Sequence, residues 1–155
     1  DVYLLIVGAD DPGLFSDAKW AAVRGRVRVF PKIPFENLPE HLAVADILLV
    51  PQRRTTDSVG QMPAKLFDAM AMGKPIIATR VSDITEVLGD CGYLVDPDKP
   101  DQLADAIQYI LDHPEEAQRR GQEARERCKR LYDISVMEAK LRELIETVVS
   151  GQRSV

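Results

Sequence analysis

Cysteine, aromatic side chains, excess positive charge and long apolar runs are all scarce or missing in this chain, and each shortage closes a class of function. The 155 residues hold two cysteines, Cys91 and Cys128. Neither belongs to a Cys-x-x-Cys pair or a Cys/His cluster, so no zinc site is expected, and two reduced thiols suit a cytoplasmic protein. Aromatic residues make up only 6% of the chain, too few for a base-stacking platform. Twenty basic residues face 25 acidic ones, for a net charge of −5. Binding to a phosphate backbone needs a basic face, so nucleic acid is not an expected partner. No run approaches the roughly 18 apolar residues of a membrane span. The N-terminus shows no basic segment followed by an apolar core and cleavage site. There is no internal repeat and no low-complexity stretch.

What is present is a globular balance, with 45% hydrophobic and 29% charged residues, in a length that suits one domain. The chain opens directly on an apolar strand at Val2, from which we expect a piece of a longer protein. The run 4–7, ended by Gly8, reads as a strand buried on both faces of a parallel sheet. A shorter strand is expected at 27–30, closed by Pro31, and a helix at 35–44. A second apolar run, 47–50, stops at Pro51. A helix follows over 63–72, with Pro63 suited to its first turn and Gly73 suited to the position just past its end. Strands are expected at 75–78 and 93–95, with a short helix at 83–88 between them. The remainder reads as three helices, 101–111, 114–130 and 134–149. The first carries Leu103, Ile107 and Ile110 or Leu111 on one face. The second reads as an exposed charged face with i,i+4 ion pairs. The third has Met137, Leu141, Leu144 and Val148 at helical spacing. Residues 1–149 are expected to form one domain and 150–155 a frayed tail.

Strands alternating with helices imply an α/β domain with a mainly parallel sheet. In such sheets ligands bind beyond the carboxyl ends of the strands. The most informative of those loops is the polar stretch 51–62, which runs into the helix starting at Pro63. A helix start offers unpaired N–H groups and partial positive charge, so it suits an anion. Gly60 lets backbone approach a ligand, Lys65 adds a full positive charge, and Asp68, a turn further on, is placed to accept hydrogen bonds from paired ribose hydroxyls. A phosphate donor cluster beside a carboxylate is what a nucleoside diphosphate needs. On spacing alone, a solvated Lys65 and a surface or capping Asp68 are the alternative.

The stretch Met62-Pro63-Ala64-Lys65-Leu66-Phe67-Asp68-Ala69-Met70-Ala71-Met72-Gly73-Lys74-Pro75-Ile76-Ile77-Ala78-Thr79 resembles the signature of group 1 glycosyltransferases, which have the GT-B architecture. Around it, Ala45-Asp46-Ile47-Leu48-Leu49-Val50-Pro51, Glu86-Val87-Leu88, Gly92-Tyr93-Leu94-Val95-Asp96-Pro97 and Leu103-Ala104-Asp105-Ala106-Ile107 are similar to further family segments in the same order. The resemblance implies a Rossmann-like three-layer domain, the C-terminal, nucleotide-sugar-binding half of a GT-B enzyme. It implies that Asp68 holds the donor ribose. The segment Gly60, Gln61, Met62, Pro63, Lys65 and Leu66 would lie along the donor sugar and diphosphate, and Lys32 and Ile33 near the nucleobase. It further implies a retaining transfer from a nucleoside diphosphate sugar, in glycan or polysaccharide biosynthesis, without a bound metal or other cofactor. No catalytic residue is assigned to this chain. The implied partner is an N-terminal acceptor domain, through which any peripheral membrane association would run.

This chain departs from the family pattern in four places. Gly60 stands where the family often has Glu, eight residues before the ribose carboxylate, and that carboxylate is Asp rather than Glu. Residues 80–84 replace a Gly-Gly pair. The family's first donor-domain strand, with its Arg/Lys pair, would lie upstream of Asp1. A stand-alone, non-catalytic nucleotide-binding or interaction module with the same fold is the alternative function. A receiver domain is disfavoured because no carboxylate ends the strand before Pro51. The segment Gly8-Ala9-Asp10-Asp11-Pro12-Gly13 lacks the G-x-G-x-x-G of a dinucleotide fold. His41 and His113 read as surface or helix-end residues and Trp20 as a packing residue. Arg53 and Arg54 read either as attractors of an anionic donor or as solvated loop residues.

Overall fold

The computed structural model of the chain describes residues 2–11, 13 and 15–151. The chain divides into two compact units, Asp1–Ala45 and Asp46–Val155.

In the first unit, β1 (Leu4–Val7) and β2 (Val27–Phe30) pair in parallel, in register from Leu4 opposite Val27 to Val7 opposite Phe30. Gly8 turns the chain away with φ +91°, and its N–H still bonds the Phe30 carbonyl at 3.0 Å. The expectation that 4–7 is buried on both faces does not hold, since Leu4 and Leu5 are each 37% exposed. A parallel strand is buried by neighbours on both sides and both faces, and among the described residues β1 pairs with β2 alone. The helix expected over 35–44 is divided: a single 3-10 turn, Phe35–Asn37, precedes α1 (Leu38–Ala43). Pro39 lies in the first turn of α1, a position a proline tolerates and helps to start. The His41 ring nitrogen lies 2.9 Å from the Asn37 carbonyl and the ring packs edge-on against Phe30, so His41 does serve a helix. Trp20 contacts Phe15 edge-on and is partly exposed.

The second unit carries β3 (Leu48–Val50), α2 (Thr56–Val59), α3 (Ala64–Met72), β4 (Ile76–Thr79), α4 (Ile84–Leu88), β5 (Tyr93–Val95), α5 (Pro100–Asp112), α6 (Pro114–Tyr132) and α7 (Ile134–Gly151). The three strands form a parallel sheet in the order β3-β4-β5. Every residue of β4 is buried, as its unbroken apolar run implies for a strand laddered on both sides. Ile77 joins Val95, Ile110 and Ala117 in a core cluster, packed round by Leu49, Leu103 and Ile107. That settles the α5 face: Ile110 is inside, while Leu111 is exposed. By alternation Ile76 and Ala78 face the other way; Leu66 and Met70 of α3 and Ile84 and Leu88 of α4 are fully buried as well.

The long helix α6 does carry the expected surface pairs, Arg120 with Glu116 at 2.8 Å and Arg119 with Glu123. It also has a buried stripe of small residues, Ala117, Gly121 and Ala124. Within it Ala117 joins the core cluster, and Gly121 lies against the turn that joins α3 to β4. Gly73 closes α3 in the left-handed conformation, φ +67°, and Gln122 donates to its carbonyl at 3.2 Å. A Cβ on Gly121 would fall 2.6 Å from the Gly73 carbonyl oxygen and from the Lys74 carbonyl carbon. Only a glycine allows the helix to lie that close to the turn.

The C-terminal helix runs two residues further than expected, and its apolar stripe is uncovered. Ser150 and Gly151, expected in the tail, are the last residues of α7, and residues 152–155 lie outside the described residues. The stripe Met137, Leu141, Leu144 and Val148 is solvent-exposed throughout. Helical spacing makes a face apolar but supplies nothing to cover it.

Replacing Gly121 by Ala pushes a methyl into backbone atoms that no rotamer change can move. Gly121→Ala is expected to lower unfolding stability by about 2 kcal/mol or more, measured by urea denaturation. Gly25→Ala, where a Cβ meets no atom within 4 Å, serves as the near-neutral control.

Candidate functional site

The loop after β3 and the start of α3 are built from the second unit alone. Pro51 ends β3, and the next residue is fastened to the neighbouring strand end. The buried Thr79 hydroxyl accepts the Gln52 N–H at 2.8 Å and donates to the Gln52 carbonyl at 2.7 Å. Arg53 pairs with Asp98 at 3.9 Å, and Arg54 donates to the Arg80 carbonyl at 3.1 Å. Both arginines are exposed, so these ties are weak in water.

A short helix not expected from the sequence, α2, then forms. Thr55 and Ser58 make a reciprocal capping box, each side chain taking the other's backbone N–H, which satisfies two donors that helix starts otherwise leave open. The buried Ser58 hydroxyl also donates to the Arg53 carbonyl at 2.6 Å. Gly60 closes α2 with φ −103°, and a Cβ there would meet no protein atom within 4 Å. Neither backbone strain nor internal packing requires this glycine.

Gln61 is exposed, and Met62 and Pro63 are half-buried. Pro63 caps α3 without any side-chain hydrogen bond, and the first turn holds no acidic residue. The positive end of this nine-residue helix therefore has no carboxylate of its own first turn and no side-chain cap. Lys65 is exposed on that turn and forms no ion pair among the described residues. Leu66 is fully buried, and its N–H bonds the Pro63 carbonyl. Its side chain is a core group, turned inward at helical spacing.

Asp68 is half-buried and makes no hydrogen bond or ion pair among the described residues. Burial pushes its carboxyl above the ordinary Asp value, because a desolvated carboxylate is less stable charged. An uncompensated carboxylate of this kind destabilises the fold at neutral pH, a cost often concentrated at functional positions.

The other two expected contacts, Lys32 and Ile33, belong to the first unit. Lys32 is exposed and pairs with Asp10 at 2.7 Å; Ile33 is half-buried. The loop that replaces the family's Gly-Gly pair holds Ser82 in the left-handed region, φ +52°. The backbone there keeps a shape natural to glycine at a cost of about 1 kcal/mol. A cavity of about 210 Å³ opens at the carboxyl ends of the sheet, lined in part by Pro51, Gln52, Thr79, Asp96 and Lys99, with none of residues 60–68 on its walls. Sequence reading missed Thr79, the capping box and Gly121. The T-x-x-S spacing was the one available signal; a threonine ending an apolar run carries none. His113 begins α6 and stacks on Tyr109, a helix-end role. Among the described residues no three His, Cys, Asp or Glu side chains group as metal ligands, and no helix is long and apolar enough to cross a membrane.

Residues 1–113 match the family model described as glycosyl transferases group 1. The chain belongs to that family, and its parallel α/β organisation is the Rossmann-like one of the GT-B architecture. It is similar to the MMP alpha-(1->4)-mannosyltransferase of Mycolicibacterium hassiacum, 34% identical over 100 residues that cover 63% of this chain and 23% of the relative. Among solved structures it is similar to sucrose-phosphate synthase from Thermosynechococcus elongatus, with 27% identity and a TM-score of 0.75, covering 96% of this chain and 39% of that one. It shares the fold of Anabaena HepE, solved in complex with UDP-glucose, at 17% identity and a TM-score of 0.75, covering 94% and 41% of the two chains. The chain spans 22% to 35% of the length of the curated relatives it matches.

The raised Asp68 carboxyl gives a stability prediction with a definite sign. A folded-state value above the unfolded one favours the protonated form, so the fold is helped below the unfolded value and loses that help as pH rises through the folded value. Ionised Asp68 is thus a burden at pH 7, and Asp68→Asn is expected to raise the melting temperature there. The advantage should shrink as the pH is lowered through the carboxylate range. A variant less stable than wild type at pH 7 would contradict the account.

Proposed function

We propose that this chain is the donor-binding part of a glycosyltransferase, holding a nucleoside diphosphate sugar at residues 60–68 while the sugar passes to an acceptor in glycan or polysaccharide biosynthesis. The observation that carries the reading is the half-buried, unpartnered Asp68 carboxylate one turn into a helix whose positive end has no side-chain cap and no acidic residue. A diphosphate would meet the first N–H groups of α3, with the Lys65 ammonium adding charge from the exposed side. Asp68 would accept from the two ribose hydroxyls, and gain in exchange the hydrogen bonds it lacks. The open space beside Gly60 would admit the sugar. Membership of the group 1 family, and the UDP-glucose bound to the fold relative HepE, lend support to a nucleotide-sugar donor.

In this reading, catalysis is electrostatic. Charge builds on the departing diphosphate as the sugar–oxygen bond breaks, and the α3 dipole and Lys65 stabilise it where it appears. No metal or other cofactor is assigned a role. Transfer proceeds with retention of anomeric configuration, in the cytoplasm, and residues 1–149 act together with an acceptor domain that closes over the sugar.

Calorimetric titration with UDP, GDP and ADP tests the assignment. One of the three is expected to bind, and Asp68→Ala to weaken it roughly tenfold or more, the loss of charge-assisted hydrogen bonds, with an unchanged circular dichroism spectrum. Equal binding by Asp68→Ala, or no binding of any of the three by the complete protein, would sink the donor-site assignment.

A further inference from the structure

We infer that Thr79 is a positioning residue for the donor site, acting through Gln52 on the loop that carries Gly60, Gln61 and Met62. The inference rests on the donor reading above and deepens it by dividing the site into two separately supported halves.

The helix half, Pro63 to Asp68, is set by the core: Leu66 and Met70 are fully buried, so α3 is held by apolar packing. The loop half has no such anchor. Of residues 51–62 only Ser58 is buried. The segment is instead braced internally. Ser58 bonds Arg53 and Thr55, the capping box closes α2, and the Gln61 N–H reaches the Ser58 carbonyl at 3.3 Å. Residues 53–61 therefore form a small unit whose position depends on how it is tied to the sheet. Two polar ties to the end of β4 are present. One is the exposed Arg54 contact to the Arg80 carbonyl. The other is Thr79.

Thr79 satisfies both backbone groups of Gln52 with one hydroxyl, at 2.8 and 2.7 Å. The side chain thus replaces the backbone partner that β4 offers β3 up to Val50 opposite Ala78, and extends the connection two residues further, to Gln52. Thr79 is nearly solvent-free, so its hydrogen bonds are not in competition with water and their loss leaves two backbone groups to find new partners. Without the hydroxyl, the loop half is released while the helix half stays in place. Gly60 to Met62 then no longer keep their distance from the α3 amides, and a donor cannot touch both at once. Misplacing part of a binding site by a small distance is enough to weaken it substantially.

The test uses Thr79→Val, which keeps shape and removes the hydroxyl, and Thr79→Ser, which restores it. With the nucleoside diphosphate that binds wild type, Thr79→Val is expected to bind roughly tenfold more weakly, and Thr79→Ser within about twofold of wild type. Rescue by Ser separates positioning from a merely structural loss of the methyl. Thr79→Val binding as tightly as wild type, while Asp68→Ala does not, overturns the role of Thr79 and leaves the donor site standing. Asp68→Ala binding normally overturns the donor site, and this inference with it. Amide exchange in the wild-type chain needs no variant: Gln52 N–H should exchange as slowly as the β4 amides. Exchange at the rate of the exposed loop amides would refute the clamp even if Thr79→Val fails to fold.

Discussion

The second unit depends on one buried strand. All four residues of β4 are removed from solvent, so the strand has to be laddered on both edges and covered on both faces. Each neighbouring element takes its place from that requirement. Ile77 fixes the side on which α5 and the start of α6 pack. The left-handed Gly73 sets the sharp turn that brings the chain from α3 into β4. Gly121 lets α6 close over that turn at backbone distance. At the far end Thr79 reaches across to hold Gln52, the second residue after β3. A strand that cannot move is a suitable support for a site, because groups tied to it share its rigidity.

The site draws on two kinds of force at its two ends. The start of α3 is placed by apolar packing, which is non-directional and tolerates small changes of shape. The loop before it is placed by a few directional hydrogen bonds from hydroxyl groups. Asp68 sits at the meeting of these effects. The packing that holds α3 also desolvates its carboxylate, and among the described residues no hydrogen bond or ion pair compensates it. The same burial that costs stability at neutral pH strengthens any hydrogen bond a ligand hydroxyl would donate there.

The order of strands and helices was legible because it rests on local pattern. Four-residue apolar runs bounded by Gly8 and Pro51, the alternating Val27–Phe30 closed by Pro31, and the Pro63 to Gly73 frame of a helix state their own limits. The helix α2 was not legible. Its four residues are too few for periodicity, and its stability comes from two hydroxyls bonding backbone groups, which a polar loop composition hides. Gly121 was hidden in a charged helix for a similar reason: its role depends on how close a turn 48 residues away in sequence comes to it. Leu66 shows what spacing alone leaves open. It belongs to the right segment, but helical geometry turns it inward while Lys65 and Asp68 face outward or to the boundary.

For this protein the sequence by itself determined the alternation of elements, the family and the segment in which a donor site would be sought. These follow from composition, spacing and ordered motifs, which act within a few residues of one another. Tertiary structure decided which side chains of that segment are free: Leu66 in the core, Asp68 half-buried and unpartnered, the helix start uncapped. It also decided what holds the loop, namely a threonine hydroxyl 27 residues from its partner. Burial and long-range hydrogen bonding depend on which distant surfaces meet, and no local pattern specifies that.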